Sequence, residues 1–242
     1  MTVSIIIPTL NEARTLGRTL RHLSVLDPAP AEIWVVDGGS QDETVAIAQA
    51  VGVKVLQVQQ SGRARQMNEG AAVAGGELLC FLHADTLVPD DLIAVIEHTL
   101  ADPTVAAAGF ISLMHGPQIT RWGISLHNYL KTYYAPLIFR PHRFLKGLRL
   151  LFGDQVICCR RSDFWAYGGF NPELPIMEEA DLCLKLNQQG KIRQINRVVQ
   201  SSDRRVAHWG PLKATAIYLY IGILWGVGVS PDYLKKFYQD IR

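Results

Sequence analysis

Four acid-bearing segments recur along the chain: IIIPTLNE (5–12), VVDGGSQDET (35–44), FLHADT (81–86) and MEEADLCLKL (177–186). Acid-bearing loops follow strand-like apolar runs three times. If those strands share one parallel sheet, the loops open along one edge, where Asp37, Asp85 and the Glu178/Glu179/Asp181 cluster would converge. A cleft lined with carboxylates suits a cation together with an anionic nucleotide ligand, and it favours an enzyme over a scaffold.

Between these segments, apolar runs alternate with helical patterns. Val3–Pro8 reads as a buried strand, and Asn11 as the cap of a helix that places Leu16, Leu20 and Leu23 on one face. Ile33–Val36 is the next strand. Ser40 and Glu43 form an S-x-x-E capping box opening a helix that Gly52 closes. Val53–Val58 is a third strand, residues 63–74 are helical, and Gly75-Gly76 break them before a buried strand at Glu77–Leu82. Pro89 suits the first turn of a further helix, ahead of a strand near Val105–Leu113. This order predicts an α/β fold, a mostly parallel sheet with helices on both faces.

Composition narrows the function classes. The 242 residues are 48% hydrophobic, enough for a sizeable core. A formal charge of +2, with no dense Lys/Arg run, gives no basis for nucleic-acid binding. Cys80, Cys158, Cys159 and Cys183 sit in apolar runs without C-x-x-C spacing, as buried thiols of a reducing compartment do. The N-terminus starts a strand at once, without signal-peptide character, so a cytoplasmic location is expected. Residues 119–151 mix aromatics and leucines with Arg121, Lys131, Arg140, Arg143, Lys146 and Arg149. The uncharged stretch 214–229 falls short of the ~20 residues of a comfortable span. A peripheral contact with the inner face of the membrane, a homodimer contact and internal core are all open for it.

The candidate chemistry sits in the acid-bearing loops. Asp37 follows the second strand, where a carboxylate accepts from a ribose or base, and Gly38-Gly39 allow close backbone approach; Asp-Gly-Gly is equally ordinary turn chemistry. The chain carries neither G-x-G-x-x-G nor G-x-x-x-x-G-K-[ST], which argues against a dinucleotide oxidoreductase and a P-loop NTPase. His83 and Asp85, two residues apart in an extended segment, face one side and suit a divalent ion; Asp85 as a turn cap before Pro89 is the plainer alternative. Glu178, Glu179 and Asp181 at a helix start also fit a favourable interaction with the helix dipole.

Together these residues resemble a glycosyltransferase of family 2 with GT-A fold, and are similar to a bacterial subgroup carrying an H-A-D-T segment. The matching pieces are Pro8-Thr9-Leu10-Asn11-Glu12, Val36-Asp37-Gly38-Gly39-Ser40 with Asp42, Gly62 to Asn68, His83-Ala84-Asp85-Thr86, Gly153-Asp154-Gln155, Gly168-Gly169-Phe170 and the Glu178–Leu186 helix. They run in order through most of residues 3–190. The resemblance implies a catalytic domain over 1–210, with a nucleotide half at 1–114 and an acceptor half at 115–210, followed by an apolar helical tail at 211–242.

It also implies roles. The activity would be inverting transfer of a sugar from a nucleotide-diphospho-sugar, UDP by family weight, to an acceptor hydroxyl that is lipid-linked if the chain meets a membrane. Pro8, Asn11, Glu12, Asp37, Arg65, Asn68 and Ala84 would border the donor nucleotide. Asp85 corresponds to the last acid of the family's D-x-D metal motif and His83 stands where its first acid would be, which leans toward Mn²⁺ over Mg²⁺. His208 would complete the metal shell. Glu179 would be the general base, with Asp181 in reserve, and Asp154 and Gln155 would shape the acceptor side. A non-catalytic nucleotide-sugar binding protein is the alternative.

Overall fold

The computed structural model describes residues 1–116 and 119–238. Strands β1 (Val3–Thr9), β2 (Glu32–Asp37), β3 (Lys54–Gln57) and β4 (Leu78–Phe81) alternate with helices α1 (Ala13–Leu23), α2 (Thr44–Val51) and α3 (Arg63–Val73). Helix α4 (Leu92–Leu100) leads to β5 (Val105–His115), α5 (Trp122–Phe139), α6 (Pro141–Leu145) and a 3-10 turn at Gly153–Gln155. Then come β6 (Ile157–Arg160), α7 (Arg161–Ala166), α8 (Glu178–Leu186), β7 (Lys191–Ser202), α9 (Arg204–Trp209), α10 (Pro211–Gly226) and α11 (Pro231–Lys235). The five strands expected from sequence all form.

The seven strands make one sheet in the order β3-β2-β1-β4-β6-β5-β7. Neighbours are parallel except that β6 runs against both β4 and β5. The period-two alternation of a strand divides the core between the two faces. Ile5 and Ile7 pack with Leu16, Leu20, Leu92 and Ile96 on one face, while Ile6 packs with Met67, Phe81, Phe164 and Leu182 on the other. At Gly70 an added Cβ would lie 2.5 Å from Ile6, so α3 seats its backbone directly on the sheet. All four cysteines are buried and free.

Two expected caps are replaced by contacts between loops. Asn11 takes a left-handed φ of 57° and accepts the Gln41 N–H at 2.8 Å. The first N–H of α1, that of Ala13, goes to Asp42 at 3.1 Å instead. Ser40 spends its hydroxyl on Asp37 and on the Asn11 N–H, and Glu43 makes no capping bond; the Thr44 N–H is taken by Asp42 at 3.0 Å. Asp42 therefore serves both helix starts, and the S-x-x-E box does not form. Gly52 does close α2, with φ 83°. Pro89 lies in the turn before α4, where its carbonyl accepts the Leu92 N–H at 3.0 Å.

The C-terminal helices pack on the rest of the chain. Ala214 and Tyr218 of α10 join Met114, Ile124 and Val206, and Ile221 joins Ile176 and Leu234. The last four residues of the expected tail, 239–242, lie outside the described ones. Among the described residues no helix is long and apolar enough to cross a membrane.

Candidate active site

The order of strands reverses between β1 and β4, and loops diverging at such a point leave a crevice at the carboxyl ends of the strands. A cavity of about 650 Å³ opens there. Pro8 reaches it from the end of β1 and Glu12 from the loop that follows, His83, Ala84 and Asp85 from the loop after β4, and Arg63 and Arg65 from the start of α3. Asp154, the first turn of α8 and the inner sides of α5 and α10 complete the wall.

Glu178 and Glu179 stand in the first turn of α8, whose preceding residue Met177 has a left-handed φ of 67°. Both carboxyls are buried. Arg63 Nε donates to Glu178 at 2.6 Å and lies 3.5 Å from Glu179. Burial pushes the Glu179 carboxyl up to about 7; Arg63 opposes the shift, and the charges of Glu178 and Asp154 add to it. A carboxyl with that pKa beside a cavity is suited to accept a proton near neutral pH.

Gly153 brings the two sides of the site together. A Cβ there would lie 2.5 Å from both Glu179 Oε1 and His83 Nε2, so the missing side chain is the space in which these groups approach. His83 is neutral, its pKa lowered to about 4 by burial and by the Arg63 charge. Its Nε2 is buried with no hydrogen-bond partner among the described residues. Asp154 accepts from Asn128 at 3.0 Å, and the Lys131 ammonium lies 3.6 Å from the centre of the Phe152 ring. Burial lowers Lys131 to about 8, against the pull of Asp154 and Glu179.

A divalent cation is a reasonable guest for part of this site. The orphaned His83 nitrogen and the Asp85 carboxylate form a mixed nitrogen and oxygen donor pair of the kind Mn²⁺ accepts. Among the described residues no three His, Cys, Asp or Glu side chains gather as a cation site, so the remaining ligands would have to come from a bound molecule or water.

Other expected residues stand outside the cavity wall. Asp37 is fully buried, and its carboxylate takes the N–H groups of Gly39 and Ser40 at 3.0 and 2.9 Å together with the hydroxyls of Thr9 and Ser40. Asn68 brackets the Gly169-Phe170 turn, donating to the Phe170 carbonyl at 2.8 Å and accepting its N–H at 3.0 Å. Gln155 is buried and bonded to Thr132 and to the Phe152 N–H. Asp181 pairs with Lys185 at 3.0 Å, one turn along α8. His208 is exposed on α9 and outside the cavity wall, and Arg204, one turn earlier, lines the cavity.

Arg63, Lys131 and Arg204 are among the cavity cations whose part in the site the sequence does not announce. Arg63 opens the expected helix at 63–74, and Arg204 stands four residues before His208, spacings that put both near predicted site elements. What sequence lacks is the long-range pairing, since Arg204 meets Asp85 across 119 positions.

The model of glycosyl transferase family 2 matches residues 4–168, well over half of the chain. Beta-monoglucosyldiacylglycerol synthase of Synechocystis sp. is 26% identical over 198 residues, covering 76% of this chain and 40% of the relative. Glucosyl-3-phosphoglycerate synthase of Mycolicibacterium smegmatis is 31% identical over 100 residues, 38% of this chain and 33% of the relative. The chain thus matches 40% or less of the length of these two curated relatives. Among solved structures, the mannosyltransferase from Pyrobaculum calidifontis in complex with GDP-Man and Mn²⁺ superposes with a TM-score of 0.69 at 21% identity, covering 97% of this chain and 67% of the other. Glucosyl-3-phosphoglycerate synthase from Mycobacterium tuberculosis, in complex with Mn²⁺, UDP and phosphoglyceric acid, gives 0.67 at 19% identity, covering 94% and 79%. At these identities the structures establish the shared GT-A-like architecture, and the family match adds the lineage. The chain belongs to glycosyl transferase family 2.

Proposed function

We propose that this chain is an inverting glycosyltransferase that moves a sugar from a UDP-linked nucleotide-diphospho-sugar to an acceptor hydroxyl. The observation that carries the reading is the placement of Glu179: a buried carboxyl with a pKa near 7, separated only by Gly153 from the His83 and Asp85 loop. In this reading Pro8, Glu12, Arg65 and Ala84 border the donor, while Asn11, Asp37 and Asn68 act at one remove by shaping the loops. Residues 1–114 form the donor half, 115–210 the acceptor half, and the tail from 211 closes the cavity.

The acceptor hydroxyl lies against Glu179 and Asp154. Glu179 takes its proton as the oxygen attacks the anomeric carbon from the face opposite the diphosphate. The bond from that carbon to the diphosphate breaks, and nucleoside diphosphate leaves with the electron pair. Asp85 and His83 would hold a divalent cation, which offsets charge on the departing diphosphate. Relatives solved with Mn²⁺ and UDP, or with Mg²⁺ and UDP, support that assignment.

The deciding experiment incubates purified protein with UDP-, GDP- and dTDP-sugars, with and without Mn²⁺, following thermal shift and diphosphate release. The reading expects stabilisation by one donor series and Mn²⁺-dependent release, both lost in Asp85→Ala. Stabilisation without release in the presence of candidate acceptors would favour the non-catalytic binding protein; no response to any donor would overturn the nucleotide-sugar reading.

The same reading places the chain on the cytoplasmic side, in peripheral contact with anionic lipid. Trp122, Leu126 and Ile138 of α5, Leu212 and Ile223 of α10 and Val227 just beyond it are each more than half exposed. Sedimentation with anionic vesicles is the expected outcome, and a concentration-dependent dimer that ignores vesicles would point to the homodimer contact through 214–229 instead.

A further inference from the structure

Arg204 closes the donor side of the cavity from the far end of the chain. Its Nη1–H reaches Glu12 Oε2 at 3.0 Å, and its Nη2–H reaches Glu12 Oε1 at 3.1 Å and Asp85 Oδ2 at 2.8 Å. The two carboxylates it joins come from different loops and are only 15% and 16% exposed. Two half-buried acids facing one another need a counter-charge, and a bridging guanidinium supplies it with three charge-assisted bonds.

The geometry points to Arg204 as the resident counter-ion of the donor site, which gives up Asp85 when a divalent cation binds and turns its fork to the donor's diphosphate. This rests on the nucleotide-sugar reading. A cation on Asp85 and a guanidinium N–H 2.8 Å from its Oδ2 compete for the same carboxylate and repel one another, so the cation binds more tightly once Arg204 withdraws. Glu12 still holds the displaced guanidinium at the cavity wall, and its planar array of donors matches phosphate oxygens as a lysine's single ammonium does not. Cation and nucleotide diphosphate then bind cooperatively, because the diphosphate gives the released arginine a new partner. Glu12, engaged on both oxygens by Arg204, is a positioning residue for the arginine rather than a direct ribose ligand.

The test measures Mn²⁺ affinity by electron paramagnetic resonance or calorimetry on nucleotide-free protein, then UDP and GDP affinity at saturating Mn²⁺. Arg204→Gln should bind Mn²⁺ about tenfold more tightly than wild type, the scale of one charge-assisted hydrogen bond, and the preferred nucleotide about tenfold more weakly. Arg65→Gln removes the same charge from the same cavity and should change Mn²⁺ affinity by less than about twofold. Thermal midpoints check that each variant is folded. If Arg204→Gln is not, Arg204→Lys keeps the charge but not the bridge, and should bind Mn²⁺ more tightly than wild type. Unchanged or weaker Mn²⁺ binding in the Arg204 variants, or an equal gain in Arg65→Gln, would overturn the exchange. Failure of wild type to bind either nucleotide would sink the donor reading and the diphosphate half of this inference, while the Mn²⁺ comparison would still decide whether Arg204 holds Asp85 against a cation.

Discussion

Arg63 gives its Nε–H to Glu178 at 2.6 Å and leaves the adjacent Glu179 at 3.5 Å. One arginine thereby divides two neighbouring carboxyls into an ion-paired member and a member whose pKa burial raises to about 7. The division follows from helix geometry, since successive residues of the first turn of α8 point about 100° apart and only one can meet the guanidinium squarely.

If Glu179 is the base, the rate of diphosphate release should rise with pH through a limb near 7. Arg63 lowers the Glu179 pKa, so Arg63→Gln removes that pull and should move the limb to higher pH as well as slowing the reaction. A pH–rate series on both proteins checks this; a limb that stays in place, or moves to lower pH, would exclude Glu179 as the titrating group.

The same raised pKa has a consequence for stability. Between the unfolded carboxyl value near 4.5 and the folded value near 7, the native state holds more protons than the unfolded state. Glu179 therefore costs stability as pH rises across that window, and the cost is complete above it. Glu179→Gln should slow release severely yet raise stability at pH 8 by up to about 3 kcal/mol, with the gain vanishing near pH 4. Denaturant unfolding at both pH values measures it.

Asp181 offers the contrast. Its carboxylate is about a quarter exposed and pairs with Lys185 on the same helix. Such pairs contribute about 0.3–0.5 kcal/mol. Asp181→Asn should leave release within about twofold of wild type, whereas Glu179→Gln should lose about two to four orders of magnitude. Comparable losses in the two variants would return Asp181 to the catalytic role it held in reserve.

The strands were legible because burial on both faces writes itself as uninterrupted apolar residues: Val3–Pro8 was expected and Val3–Thr9 is found, Val105–Leu113 expected and Val105–His115 found. Strands β6 and β7 were not expected. Ile157–Arg160 is only four residues long and reads as little more than a pair of buried cysteines, while Lys191–Ser202 is mostly polar because much of it is exposed at the sheet edge. The caps failed for another reason. Asn11 and Ser40 carry good local signals, yet each makes a stronger long-range bond to the other loop, and that exchange has no trace in local spacing. At the site, Glu179 and Asp85 could be read from their motif positions, but Arg204 could not, because its role is set by tertiary pairing.

Gly153 should tolerate no side chain. A Cβ would stand 2.5 Å from Oε1 of the buried Glu179 and from His83, whose Nε2 is itself buried. Gly153→Ala should therefore cost about 1–3 kcal/mol of stability and at least about tenfold in release, because the carboxyl and the imidazole are pushed apart. Gly123→Ala, where an added Cβ meets nothing within 4 Å, is the matched control and should change neither quantity appreciably.

Asp37 tests how far a familiar motif carries a role. It stands where a base- or ribose-binding acid is expected, yet four donors from Thr9, Gly39 and Ser40 converge on its carboxylate inside the protein. Asp37→Ala strands those donors in a buried site, and each orphaned group costs about 1–3 kcal/mol less any relief from water. The expected result is a large fall in unfolding free energy, with Asp37→Asn intermediate because its amide still accepts through one oxygen. If Asp37 acts only by holding this loop, nucleotide affinity measured on folded Asp37→Asn at low temperature should fall by less than about threefold. A direct hydrogen bond to the ligand would instead cost tenfold or more in affinity, in addition to the loss of stability.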